Sequence, residues 1–108
     1  LVTAVFTSRP NGLVEHPACN LGPPRAGYFV GAPGGVLTLP TWVDFNSLQD
    51  LDAADMAKLQ RSGRVSLLPQ PLSGPLFCAV LRCVLQCDDL TGRQARLVGD
   101  VAAALRCP

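Results

Sequence analysis

Three breaks built from proline and glycine divide the first third of the chain: Pro10-Asn11-Gly12, Gly22-Pro23-Pro24 and Gly31-Ala32-Pro33-Gly34-Gly35. Proline has no amide hydrogen to give to a helix or a sheet ladder, and glycine relaxes into turns, so only short elements fit between such breaks. The runs between them are β-branched or aromatic, a composition that suits strands. Leu1–Thr7 therefore reads as a strand. Gly27-Tyr28-Phe29-Val30, the GAPGG turn and Val36-Leu37-Thr38-Leu39 read as a hairpin, which Pro40 ends.

Past Pro40 the period changes. Thr41 can cap, and Trp42, Val43, Phe45 and Leu48 are spaced to predict a turn or two of helix. Asp52 predicts the N-cap of a helix over Ala53–Arg61, with Met56 and Leu59 on one side and Gly63 as its stop. Arg64 to Leu67 reads as a short strand or extended link, ended by Leu68-Pro69-Gln70-Pro71. Ser73 and Pro75 sit where a cap and a first-turn proline belong, opening a helix over about Gly74 to Cys87. A last helix is expected from Gly92 to Arg106, weakened at Gly99 by about 1 kcal/mol against alanine. The expectation is an α+β chain with a β-rich part over residues 1–40 and a helical part over 41–108. There is no internal repeat and no low-complexity tract.

A chain of 108 residues supports one core at most. With 48% apolar and only 16% charged residues, it is expected to leave apolar surface for a partner. The net charge of +1 supplies no field that would follow a phosphate backbone, which argues against autonomous nucleic-acid binding. No run approaches the roughly 20 apolar residues of a membrane span. The opening LVTAVFTSRPNG has too short an apolar run, with no basic region before it, for a signal peptide. Of the five cysteines, Cys78, Cys83 and Cys87 fall in one apolar helical pattern. That spacing suits reduced thiols packed as small hydrophobes, and with it an intracellular, reducing compartment.

Candidate chemistry is sparse. Cys83 and Cys87 are four apart and share a helix face, as a two-ligand metal corner would require, but Cys78 points elsewhere and the sole His16 is distant. No metal is expected. His16 and Cys19 are the right types for a thiolate pair but sit three apart in a proline-flanked loop, with no third orienting group. GAPGG lacks the Lys-Ser or Lys-Thr of a phosphate loop. Asp50, Asp52 and Asp55 lack the glycine and late glutamate of a calcium loop. The chain is accordingly expected to carry no catalytic residue, no cofactor and no small-molecule ligand. Trp42 is expected to cover the seam between the hairpin and the helices, buried against the helix from Gly74.

The order of these features is similar to a known family. Gly27-Tyr28-Phe29-Val30, a glycine turn and Val36-Leu37-Thr38-Leu39-Pro40-Thr41-Trp42-Val43 resemble the Leu-x-Leu-Pro-Leu-Trp-Leu segment of the third Psf subunit of the GINS replication complex. The likeness runs over about residues 13 to 106. It implies a β-domain followed by a helical domain that docks against sister subunits, with a short helix after the tryptophan. It also implies no active site, a nuclear location, and a bridging role beside the helicase subunits. On this reading Tyr28, Phe29, Leu37, Leu39, Pro40 and Trp42 form the domain seam. Phe77, Leu81 and Leu85 on one helix, with Val98, Val101 and Leu105 on the next, meet the sister subunits. The alternatives are an unrelated small α+β adaptor or viral accessory domain and, more remotely, a thiol enzyme using Cys19 and His16.

Overall fold

The computed structural model describes residues 2–22, 25–64, 72–88 and 90–108. Strands β1 (Val2–Thr7), β2 (Cys19–Leu21), β3 (Ala26–Gly31) and β4 (Thr41–Asp50) precede helices α1 (Ala53–Arg61), α2 (Gly74–Leu85) and α3 (Gly92–Ala104). The strands make one antiparallel sheet in the order β1-β4-β3-β2, so β1 and β2 are its edges. The expected α+β class holds. The change from strands to helices, however, comes after Asp50 rather than at residue 40.

The partner of β3 is not Val36–Leu39. Tyr28 lies opposite Val43 and Phe29 opposite Trp42, so the central pair is β3 with β4. Gly34 and Leu37 instead close a tight turn on each other, exchanging two backbone hydrogen bonds of 3.0 Å. That turn consumes the residues expected to form the second strand, and leaves Val36 and Leu39 exposed. The helix expected after Pro40 is likewise a strand. Apolar residues at 42, 43 and 45 fit either a helix or a strand buried on both faces, and the β-branched, aromatic Thr-Trp-Val decides for the strand.

Side chains alternate across β3 and β4, and the two faces are covered differently. Ala26, Val30, Val43 and Phe45 meet Val80, Leu81, Cys83 and Val84 of α2 and Val98 of α3, forming the main core. Full burial of each such aliphatic side chain contributes about 1.5–3 kcal/mol. The opposite face carries Trp42, 4% exposed, and Phe29, whose ring centroid lies 4.9 Å from the indole. It is covered by the loop between β1 and β2, which inserts Leu13, 5% exposed. Trp42 is thus buried as expected, but on the side of the sheet away from the helices.

The helix ends obey their caps. Asp52 accepts from the Ala54 amide and Ser73 from the Leu76 amide, while Thr91 and Gln94 bond each other's backbone in a reciprocal box. Gly63 follows α1 with φ +79°, the left-handed stop its position calls for. Helices α2 and α3 end two residues earlier than their expected ends, at Leu85 and Ala104. The expected link from Arg64 to Leu67 and its Leu68–Pro71 stop lie outside the described residues after Arg64. No helix among the described residues is long and apolar enough to cross a membrane.

Two disulfides replace the reduced thiols that the cysteine spacing suggested. Cys19 in β2 is bonded to Cys83 in α2, and Cys78 in α2 to Cys107 beyond α3. The apolar helical pattern concealed these pairs because each partner is far away in sequence, by 64 and 29 residues. Cys87 belongs to neither bridge.

Candidate functional site: an apolar cleft between sheet and helices

Helix α2 packs against β2 and β3, and α3 packs against α2 and β1, leaving a cleft of about 400 Å³ between the helices and the β1–β4 side of the sheet. The sheet side is lined by Val2, Ala4 and Phe6 of β1 with Val43, Phe45 and Leu48 of β4. The helical side is Phe77, Val80, Leu81 and Val84 of α2 with Leu97, Val98 and Val101 of α3. Among the described residues that line it, Thr3 is the sole polar one and none can ionise. At the rim, Phe6, Phe77 and Val101 are 44%, 37% and 43% exposed. A concavity of this composition can accept apolar groups, and the described residues that line it bring no acid, base or nucleophile.

The cleft owes its shape to a slip in β4. Between Thr3 and Val5 the pairing with β4 jumps from Gln49 to Asp44, so β4 carries three more residues than β1 across that interval. The extra backbone is held locally: Ser47 Oγ accepts from the Val5 amide at 2.9 Å and donates to the Asp44 carbonyl at 2.6 Å, while Asp44 Oδ1 accepts from the Asn46 amide. Such a bulge re-aims a strand. Here Phe45 and Leu48 both reach the cleft although they are three positions apart, an odd spacing that an unbroken strand would send to opposite faces.

The expected interface residues separate into groups. Phe77, Leu81, Val98 and Val101 come together in the cleft. Leu85 and Leu105, 40% and 51% exposed, lie outside it on the helix surfaces. Tyr28 packs at the edge of the main core, and Phe29 and Trp42 form the opposite face. Leu37 and Leu39 line a shallow depression with Phe6 and Thr7, and Pro40 is exposed. The β1 contribution went unnoticed in the sequence, although the alternation Val2, Ala4, Phe6 was available to find it.

Other candidate chemistry resolves simply. Cys19 is a half-cystine, so the thiolate required by a Cys19–His16 pair is not available, and His16 stands exposed before a cis-proline. No group of three His, Cys, Asp or Glu side chains among the described residues could hold a metal ion. A mixed pocket beside the start of α3 gathers Asn46, Cys87, Thr91 and Gln94, but Gln94 is committed there to Thr91 and to Asp50 Oδ1 at 3.2 Å. Comparison of the chain with protein families, with curated proteins and with solved structures returned no match.

Proposed function

We propose that this chain is a non-catalytic protein-interaction domain that takes apolar side chains of a partner protein into the cleft between the sheet and the α2–α3 pair. The observation that carries the reading is the cleft's uncharged lining together with its exposed apolar rim. Apolar surface also continues beyond the rim onto Leu85 and Leu105, further than a small enclosed ligand would need. A protein surface is the occupant that would cover both. A scaffold subunit in a GINS-like replication assembly is the narrower form of this proposal and rests on the LTLPTW segment. The two disulfides favour an oxidising compartment over the nucleus, so the general interaction role is proposed ahead of the replication role.

Phe77→Asp provides the test, because this rim side chain is exposed enough for a carboxylate to remain solvated in the folded chain. Proteins recovered quantitatively with the native chain from its own cell extract should drop out with Phe77→Asp, while the thermal midpoint stays close to that of the parent. A recovered set that is identical for both chains, or a turnover assay that finds catalysis, overturns the proposal. Recovery of three sister subunits of similar size would support the replication assembly in particular.

A further inference from the structure

The two edges of the sheet are not alike. β2 is three residues long, is packed under α2 and is tied to it through Cys19–Cys83. β1 has six residues, Val-Thr-Ala-Val-Phe-Thr, with neither charge nor proline, and among the described residues its only neighbour in the sheet is β4. Soluble proteins ordinarily blunt such an edge with lysine, proline or a covering element. Here Ala4, Val5 and Phe6 are all exposed.

The direction of the edge's hydrogen-bonding groups follows from one bond. The Val5 amide points toward β4, where it donates to Ser47 Oγ. In an extended strand the next residues face the other way, so the amides and carbonyls of Val2, Ala4 and Phe6 point outward. Their side chains line the cleft.

The geometry points to a second copy of this chain as the occupant of this edge, its β1 pairing antiparallel with β1 of the first about a two-fold axis through Ala4. In that register Ala4 faces the partner's Ala4 and Val2 faces the partner's Phe6, so every outward amide and carbonyl of the three residues is used. Centring the axis on Val5 instead would leave Val2 unpaired. A two-fold brings like against like, which an uncharged strand tolerates and a charged one would not. The product is a continuous eight-stranded sheet whose two clefts join side by side, with each half-exposed Phe6 covered by a Val2. Strand pairing alone falls short of the roughly 1,600 Å² of a standard interface. Helix α3, which touches β1, is carried toward its own copy by the same axis and brings the exposed Val101 and Leu105. The dimer takes Phe6, Val101 and Leu105 and leaves Phe77 and Leu85 to the partner proposed for the cleft, so Phe77 takes no part in it.

Light scattering on the fractionated full chain, over a concentration series, should show the mass rising from one chain to two. Ala4→Pro removes an outward amide without touching the β1–β4 ladder and should hold the chain at monomer mass with unchanged circular dichroism. Should that variant unfold, Ala4→Cys decides. Facing residues in a hydrogen-bonded antiparallel pair lie about 5.5 Å apart at Cα, within disulfide range. Peptide mapping should then find a bridge between position 4 and position 4 of the partner, whereas Thr3→Cys should give none. A single-chain mass at every concentration, a dimer that Ala4→Pro leaves intact and folded, or an Ala4→Cys chain that fails to cross-link would each overturn the proposal. Capture of an extended peptide by a chain that stays monomeric would do so as well.

Discussion

At Gly27 no side chain fits: a Cβ there would come within 2.5 Å of the Val43 carbonyl oxygen and 3.0 Å of Leu13 Cδ1. Backbone cannot retreat as a flexible side chain can, so Gly27→Ala should cost about 1–3 kcal/mol, read as a lower denaturation midpoint at an unchanged denaturant slope. The reason lies in the small second core, where the loop carrying Leu13 presses directly on the sheet. Val14 ties that loop to the sheet: its carbonyl accepts from Trp42 Nε1 at 3.0 Å and from Asn20 Nδ2 at 3.0 Å. Asn20 Oδ1 in turn accepts from the Val14 amide at 2.9 Å. The single tryptophan therefore serves as a large apolar filler and as the donor that anchors a loop over it. Trp42→Ala should cost about 3–5 kcal/mol, and Trp42→Phe about 1 kcal/mol for the lost hydrogen bond. Indole emission in the native chain should be blue-shifted, and should move to longer wavelength when Asn20→Ala frees the loop. The burial of Trp42 was legible in the sequence from its size and apolarity. The face it occupies was not, because that depends on which strand pairs with β3.

Among the elements, helices were more legible than strands. Asp52 and Ser73 announce their helices because a cap acts on amides two or three residues away, a relation the sequence displays. β4 was hidden because its partners, Phe6 and Tyr28, are far off in the chain, and nothing near Trp42 says that both faces will be covered. The cleft was half legible for the same reason: its helical wall follows from periodicity, and its sheet wall from long-range pairing. Two substitutions in α3 test its local contributions. Gly99 has open space where a Cβ would go, so Gly99→Ala should raise stability by up to about 1 kcal/mol. Thr91→Ala removes the side-chain half of the reciprocal box with Gln94 and should lower stability by about 0.5–2 kcal/mol, both measured by thermal or chemical denaturation.

For the whole molecule the disulfides dominate. The bridged residues are 64 and 29 positions apart, and on loop entropy each bridge should contribute about 4 kcal/mol. A chain of this length has little stability beyond that to spare, so reduction under native conditions should leave it largely unfolded. Reduced chain that keeps a cooperative melt near the parent midpoint would contradict this. The bridges also decide how the molecule would carry a mechanical load. Pulled between Val2 and Pro108, tension runs along the backbone to Cys19, crosses to Cys83, follows α2 back to Cys78 and leaves through Cys107. Only β1, the loop that carries Leu13 and one and a half turns of α2 lie in that path. β3, β4, α1 and α3 hang from it as slack. The oxidised chain should therefore draw taut at about 90 Å and the reduced chain at about 370 Å, at roughly 3.5 Å per residue. The bridges make the domain a short tether, whose central strands and outer helices feel no direct pull however hard its two ends are drawn apart.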